Sequence, residues 1–346
     1  MNRSSILIIY TGGTIGMRAD ANGVLCPFDF SQILSEVPEL GKFACKIDYK
    51  VFDPLIDSSD VEPEMWTELA GMIRDSYANY DGFVVLHGTD TMAYSASALS
   101  FMLENLSKPV IFTGSQLPIG VPRTDGKENL VSAVEIASAK RPDGRAKVCE
   151  VAIYFGSRLL RANRAVKVNS ENFDAFATPN LDALGTAGIN IRYNERVLLP
   201  PSEKPLEVHT QLDTRVSILK IHPGITPALV RDVLLGEQTQ AVILETYGAG
   251  NAPSKPWFLD IVKEASARGK ILVNVTQCLS GEVNMDIYAT GRSMKLCGVV
   301  SGHDCTTEAM LAKIFYLLGA YKNESPDVKR SEIMRLLEVS LRGEIS

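Results

Sequence analysis

Short apolar runs alternate along the chain with segments whose apolar residues recur at helical spacing. Residues 6–9, 83–86 and 110–112 are apolar throughout, which is typical of strands that are buried on both faces of a sheet. Segments 63–77 and 92–105 carry apolar residues three or four positions apart, and for the second segment this predicts a helix with one apolar face. Strands that alternate with helices predict a mostly parallel sheet covered on both sides.

The same alternation returns in the last third of the chain. Residues 199–205 interrupt it with three prolines and charged residues, which is typical of a connection between domains. Further strands are predicted at 46–52, 148–155, 216–221, 242–244 and 271–275, and further helices at 28–34, 227–235, 257–268, 306–321 and 326–341. We therefore predict an α/β protein of two domains: a larger N-terminal domain with a mostly parallel sheet (1–195), a linker (196–213) and a smaller parallel α/β domain (214–346).

A glycine-rich segment follows the first strand. Residues 10–16 read Tyr-Thr-Gly-Gly-Thr-Ile-Gly, and glycine allows the main chain to approach a ligand closely. The spacing differs from the dinucleotide fingerprint, and the following Asn22-Gly23 pair predicts a turn or hairpin instead of a helix. The segment is thus a candidate loop that displays two threonines, with a flexible hairpin or lid after it, although the seven residues alone favour a plain strand connection.

Polar clusters also follow several other strands. They lie at residues 57–60 (Asp-Ser-Ser-Asp), 87–91 (His-Gly-Thr-Asp-Thr) and 113–116 (Thr-Gly-Ser-Gln). Ligands of parallel sheets bind outside the carboxyl ends of the strands, so these clusters are candidates for one site. The alternative for 57–60 and for 89–91 is helix capping, which Ser, Thr and Asp also favour.

The chemistry of these residues suggests a threonine nucleophile. A threonine hydroxyl needs a base, and with no histidine placed for that role a buried lysine fixed by a carboxylate is the candidate. Lys167 ends a series of basic residues at every third position from Arg158, and that spacing alone predicts a solvated basic face. The 57–60 cluster offers hydroxyls and main-chain donors for a carboxylate, and acidic groups for an ammonium.

The composition limits the kinds of molecule that the protein is expected to bind. A net charge of −6 and a pI near 5.4 provide no basic field for nucleic acid, which favours a small-molecule ligand. Six scattered cysteines without a Cys-x-x-Cys pair, and four histidines without metal-ligand spacing, argue against disulfides and against a metal site. No signal peptide or membrane-spanning stretch is expected, which favours a cytoplasmic protein. His303-Asp304-Cys305 is better explained by a helix cap at Asp304 or Thr306 than by a cysteine nucleophile.

Taken together, the motifs resemble those of bacterial asparaginases of the cytoplasmic, type I class. The similarity covers essentially the whole chain. Besides the segments at 10–17, 57–60, 87–94 and 113–116, it includes Asn163-Arg164 with Lys167, and residues 247–253. Each motif is weak alone, but the set is specific.

The resemblance implies hydrolysis of L-asparagine to L-aspartate and ammonia through an acyl-enzyme, with no metal or organic cofactor. By that likeness Thr14 is the nucleophile, and Thr89, Asp90 and Lys167 manage the protons. The implied substrate-binding residues are Gly13, Asp57, Ser58, Ser59, Gly88, Thr89, Asp90 and Ser115. Main-chain N–H groups near Thr14 and Thr89 would meet the oxyanion. The resemblance also implies a homodimer or a dimer of dimers, with each site at an interface between subunits.

Two departures from the family pattern affect these expectations. Many relatives carry a tyrosine in the flexible segment where this chain has Val24, so another group would assist Thr14 or the lid would close differently. Some type I relatives bind asparagine at a regulatory site near Gln277 and Cys278. Here Val166 and Glu245 stand where a hydroxyl and a basic residue are expected, and the added carboxylate predicts weak or absent cooperativity.

Three other functions remain open at this point. They are a glutaminase-asparaginase of broader specificity, an amidotransferase subunit that frees ammonia, and a non-catalytic asparagine sensor. An amidotransferase subunit normally carries an extra N-terminal domain, whereas this sequence starts directly on the glycine-loop strand.

Overall fold

The computed structural model describes residues 3–19, 25–27 and 36–346. The chain divides into two compact units, Met1–Thr210 and Gln211–Ser346. The division falls within the stretch predicted as a linker. The helix predicted at 28–34, the turn after Asn22 and Val24 lie outside the described residues.

The first unit is built on a sheet of eight strands. The spatial order of the strands is β13-β12-β9-β8-β7-β5-β1-β4. Along this order, neighbouring strands pair in parallel among β8, β7, β5, β1 and β4. At the other edge of the sheet, β9, β12 and β13 are added in antiparallel orientation. The bounds are β1 Ser4–Tyr10, β4 Cys45–Val51, β5 Gly82–Leu86, β7 Val110–Thr113, β8 Val151–Phe155, β9 Arg158–Arg161, β12 Gly185–Thr186 and β13 Arg192–Tyr193.

Three pairs of short strands complete this unit. The pair β2 (Met17–Ala19) and β3 (Leu25–Pro27) is antiparallel and directly follows the glycine-rich segment. The pair β10 (Val166–Lys167) and β11 (Phe176–Ala177) carries the lysine singled out from the sequence. The third pair is β6 (Leu103–Glu104) with β14 (Glu207–Val208).

Helices cover both faces of the main sheet. They are α1 (Pro63–Ser76), α2 (Met92–Met102) and α3 (Gly126–Ser138). Alternate residues of β1, including Ile6 and Ile8, share a core with α3, and the residues between them are equally buried. Because successive side chains of a strand point to opposite faces, neither face of this strand meets solvent.

Helix α2 differs from the sequence prediction. It ends at Met102 because Leu103 pairs with β14 and Asn105 adopts a φ of +65°. The prediction of one apolar face is wrong, because nearly every residue of α2 is buried. Its serines satisfy their hydroxyls internally; Ser95, for example, accepts a hydrogen bond from Trp66 Nε1 at 2.9 Å.

The second unit has a smaller sheet with four parallel strands. In spatial order these are β15 (Val216–Lys220), β16 (Ala241–Thr246), β17 (Ile271–Thr276) and β18 (Val299–Ser301). The helices are α4 (Pro227–Leu235), α5 (Pro256–Ala267), α6 (Ala289–Leu296), α7 (Thr307–Ala320) and α8 (Pro326–Leu337). The predicted α/β architecture is confirmed, although α6 and β18 were not predicted.

The C-terminal segment is fastened by a buried ion pair. Lys313 of α7 lies 2.7 Å from the carboxylate of Glu344, and both side chains are fully buried. The last residue, Ser346, donates to Asp304 through its main-chain N–H and its hydroxyl.

Candidate active site

Three loops meet at the carboxyl ends of the neighbouring strands β5, β1 and β4. A Cβ atom on Gly12 would overlap the carbonyl oxygen of Ile56, and one on Gly13 would lie 2.5 Å from the Gly88 nitrogen. A Cβ on Gly88 would overlap the hydroxyl oxygen of Ser58. Gly12 and Gly13 also have positive φ values, +137° and +94°. Glycine at these positions therefore brings the three loops into direct contact.

Main-chain hydrogen bonds extend this contact from the ends of the strands. The Thr11 N–H donates to the carbonyl of Leu86 at 3.0 Å, and the Ile56 N–H donates to the carbonyl of Thr11 at 2.9 Å. Thr14 follows immediately and opens a short 3₁₀ turn, Thr14–Gly16, in which it is half-buried. The Thr14 hydroxyl has no hydrogen-bond partner among the described residues. The predicted nucleophile is thus carried by a tightly held loop.

Lys167 joins the loop after β5 to the β10–β11 pair. Its Nζ lies 2.9 Å from the hydroxyl oxygen of Thr89 and 2.6 Å from a carboxylate oxygen of Asp90. The lysine side chain is 20% exposed and that of Asp90 is 62% exposed. In this contact Nζ donates and the Thr89 oxygen accepts, so the Thr89 proton remains free to act elsewhere. The contact links a hydroxyl, an amine and a carboxylate.

The predicted carboxylate-binding cluster forms a short 3₁₀ turn, Ser58–Asp60. Asp57 caps it by accepting from the Ser59 N–H and the Ser59 hydroxyl, both at 2.9 Å. These hydrogen bonds lower the pKa of the Asp57 carboxyl. Ser58 is buried against Gly88. Capping and a role in binding are therefore compatible at Asp57.

Two other sequence predictions concern this region. Thr91 stands at the start of α2, but its hydroxyl donates to the carbonyl of Ser58 at 2.6 Å and makes no capping bond, so the capping interpretation of 89–91 is wrong. Ser115, predicted to bind substrate, is buried after β7, and its hydroxyl donates to the carbonyl of Leu117 at 2.6 Å. Near the C-terminus, Thr306 caps α7 by accepting from the Ala309 N–H, which confirms that prediction.

The solvated basic face predicted for 158–167 is wrong. Only Arg158 of this series is exposed; Arg161 and Arg164 are buried. Arg161 forms an ion pair with the buried carboxylate of Glu150 at 2.6 Å. The segment is a strand, a short turn and a strand, so residues three apart do not share one face.

Sequence reasoning missed two features. His87 was set aside both as a metal ligand and as a base, yet its ring is buried and Nδ1 lies 2.6 Å from the carbonyl oxygen of Gly88. The position of His87 directly after a buried apolar strand was the signal in the sequence that could have pointed to this contact. A possible cation-binding group was also missed: one ligand atom from each of Glu104, Glu207 and His209 lies within 4.8 Å of the others. Glu104 is on β6, Glu207 is on β14 and His209 directly follows β14. The group lies at the opposite end of α2 from Thr89, so it takes no part in the candidate active site.

The residues considered for a regulatory site divide between the two units. Val166 belongs to the first unit, and Glu245 and Gln277 belong to the second. The carboxylate of Glu245 accepts from the Thr307 hydroxyl at 2.7 Å, and the side chain of Gln277 donates to the main-chain carbonyl of Glu245. Glu245 is therefore held in a defined position within its unit.

The comparisons with known proteins identify the family. Family models for "Asparaginase, N-terminal" and "Glutaminase/Asparaginase C-terminal domain" match residues 5–199 and 215–330. The chain belongs to the asparaginase family, as the motifs predicted.

Individual relatives match over the full length. The chain is 44% identical over 349 residues to L-asparaginase 1 of Escherichia coli strain K12, covering 100% of this chain and 99% of the relative. The crystal structure of L-asparaginase I from Vibrio cholerae matches with a TM-score of 0.89 and 41% identity, covering 100% of both chains. The thermostable L-asparaginase from Thermococcus kodakarensis matches with a TM-score of 0.88 and 31% identity, covering 99% of both chains.

Proposed function

We propose that this chain hydrolyses L-asparagine to L-aspartate and ammonia. The observation that carries the proposal is the contact of Lys167 with Thr89 and Asp90, on a loop that is packed through Gly88 against the loop of Thr14. The full-length similarity to L-asparaginase 1 of E. coli supports the reaction and the substrate.

In the first half of the reaction, Thr14 Oγ attacks the carbon of the side-chain amide. A C–O bond forms, the hydroxyl proton leaves, and negative charge develops on the amide oxygen. Main-chain N–H groups near Thr14 and Thr89 stabilise that charge, a contribution of about 3 kcal/mol per donor in comparable sites. The C–N bond then breaks, ammonia departs with the transferred proton, and a β-aspartyl ester of Thr14 remains.

In the second half, water attacks the ester carbon. Thr89, hydrogen-bonded to Lys167, lies in the loop that packs against the Thr14 loop, and Asp90 fixes the amine. We assign to these three residues the transfer of protons to the leaving ammonia and from the attacking water. Cleavage of the ester releases aspartate and restores the Thr14 hydroxyl.

Recognition of the substrate's α-groups falls to the loops after β4 and β5. Ser58, Ser59 and the main chain beside Asp57 bind the α-carboxylate, and the carboxylate of Asp90 meets the α-ammonium. Asp57 and Asp90 are both exposed, and the contact of Lys167 with Oδ1 of Asp90 leaves Oδ2 for a ligand. Gly13, Gly88, Thr89 and Ser115 complete the proposed set.

We further propose that the protein acts in the cytoplasm, as a homotetramer in the form of a dimer of dimers. All five cysteines with described side chains are free thiols, which suits a reducing compartment. None of the described helices is long and apolar enough to cross a membrane. Mass photometry of the purified chain tests the tetramer, and fractionation of the producing cells tests the location.

Ammonia release from asparagine and from glutamine, measured with the purified chain and with Thr14→Ala, tests the reaction. We expect turnover of asparagine by the parent and a loss of at least about 10³-fold in Thr14→Ala. Turnover that survives the substitution would remove Thr14 from its role. Binding of asparagine without turnover in the parent would identify a sensor, and equal rates with glutamine would identify a glutaminase-asparaginase.

A further inference from the structure

His87 occupies a buried position at the end of β5. It is 1% exposed, and Nδ1 lies 2.6 Å from the carbonyl oxygen of Gly88. Because a carbonyl only accepts, Nδ1 carries the proton and donates it. Burial lowers the pKa of His87 to about 4, so the ring is neutral at neutral pH. Nε2 is then the unprotonated nitrogen, and it has no partner in the described part of the chain.

The carbonyl that His87 holds belongs to the same peptide as the Thr89 N–H. The Gly88–Thr89 peptide bond is trans. A trans peptide points its C=O and its N–H in opposite directions, so fixing the carbonyl fixes the direction of the N–H. The Thr89 N–H donates to no acceptor among the residues that the structure describes. It is therefore available to a ligand.

The hydrogen bond from His87 to the Gly88 carbonyl also makes the Thr89 N–H a stronger donor. Donation into a carbonyl polarises its peptide, and the N–H at the other end becomes a better donor. Gly88 has no side chain to constrain its own peptide, although Gly13 and Ser58 pack against its Cα side. The histidine ring lies tilted against Phe112, with ring centroids 6.0 Å apart, which limits its movement. A rigid, neutral donor thus holds the carbonyl.

We propose that His87 is a positioning residue that aims and polarises the Thr89 N–H as a donor to the oxyanion formed during amide hydrolysis. The inference rests on the proposed function. It assigns His87 neither acid–base nor nucleophilic work, because a buried neutral ring without access to the substrate performs neither.

Three substitutions test the proposal. Asparagine places its side-chain nitrogen where histidine has Nδ1, whereas glutamine places its nitrogen one bond further out, and leucine has no donor. With asparagine as substrate, we expect His87→Gln and His87→Leu to lose about 10-fold in kcat with KM unchanged within twofold, because an interaction made only in the transition state is weakened. His87→Asn should retain kcat within about threefold of the parent, because its donor replaces Nδ1.

The Asn and Gln variants form the matched pair, since both are polar amides in the same cavity. Thermal unfolding and aspartate binding by calorimetry are measured for all variants, because a merely structural role would lower these in parallel with kcat. Equal kcat in the Asn and Gln variants, or a loss confined to KM, would overturn the positioning role while leaving the proposed function intact. A parent chain that releases no ammonia would overturn both.

Discussion

The buried ion pair between Lys313 and Glu344 offers a test of how the C-terminal segment is held. Nζ of Lys313 uses all its donors: it lies 2.7 Å from the carboxylate and also donates to the carbonyls of Leu337 and Val339, at 3.2 and 2.7 Å. The carboxylate in turn accepts from the main-chain N–H groups of Leu341 and Arg342. The pair therefore connects α7 to the end of α8 and to the segment after it.

Removing only the lysine leaves a buried carboxylate without its counter-charge. We expect Lys313→Met to lower the free energy of unfolding by about 3–5 kcal/mol, the usual cost of breaking a fully buried pair. In Lys313→Met/Glu344→Leu no charge is buried, but the main-chain N–H groups held by the carboxylate lose their acceptor. The double variant should therefore be destabilised by about 1–3 kcal/mol, less than the single variant.

Urea unfolding, followed by circular dichroism and tryptophan fluorescence, measures both values. The exposed pair of Lys295 with Asp286, at 2.8 Å, supplies the control, and Lys295→Met should change the free energy of unfolding by less than about 1 kcal/mol. A loss below about 1 kcal/mol in Lys313→Met, or a double variant less stable than the single one, would refute the reasoning.

The remaining predictions concern catalysis, pH and regulation. Lys167→Met should lower kcat by about 10²- to 10⁴-fold without lowering the melting temperature markedly, and an active variant would contradict its role in proton transfer. Because the pKa of His87 is about 4 in the folded chain and near 6.5 when unfolded, only the unfolded state binds this proton between those values, and stability should fall as pH decreases from 6.5 to 4, by about 3 kcal/mol from this residue. His87→Asn lacks this proton site, so in urea titrations its free energy of unfolding should rise relative to that of the parent by about 3 kcal/mol over the same range, and an unchanged difference would contradict this. The Glu245 carboxylate would repel the carboxylate of an asparagine at the regulatory site, so cooperativity should be weak or absent. The rate should therefore depend hyperbolically on asparagine concentration, and a sigmoidal curve would contradict this.

Much of the fold was predictable because it depends on local patterns. Buried parallel strands are uniformly apolar, and the starts of α1 and α4 carry a proline in the first turn, so both helices begin at the predicted residue. Helix α2 was harder, because its apolar and serine residues give no single face when the whole helix is buried. Strand β18 has three residues, and helix α6 has eight with Gly291 inside it, so both are too short for a clear pattern and were missed.

In the candidate site, too, local features were predictable from the sequence and long-range partners were not. The sequence at Gly12 and Gly13 indicated that main chain approaches closely there. Their partners Ile56 and Gly88 are far away in sequence, and only the strand order brings them together. The spacing of basic residues misled for a similar reason: the partner of Arg161 is Glu150, which directly precedes the adjacent strand β8, and no periodicity of the series predicts that pairing.

The hydroxyl of Thr91 has a further effect on the electrostatics of the site. It donates to the carbonyl of Ser58 and makes no capping hydrogen bond to the first turn of α2. The helix dipole places positive potential at the end of α2 that follows Thr89 and Asp90 in the chain, and the Asp90 carboxylate offsets part of it. An anion formed beside Thr89 gains stabilisation from this helix end, and a Thr91 that capped the helix would reduce it.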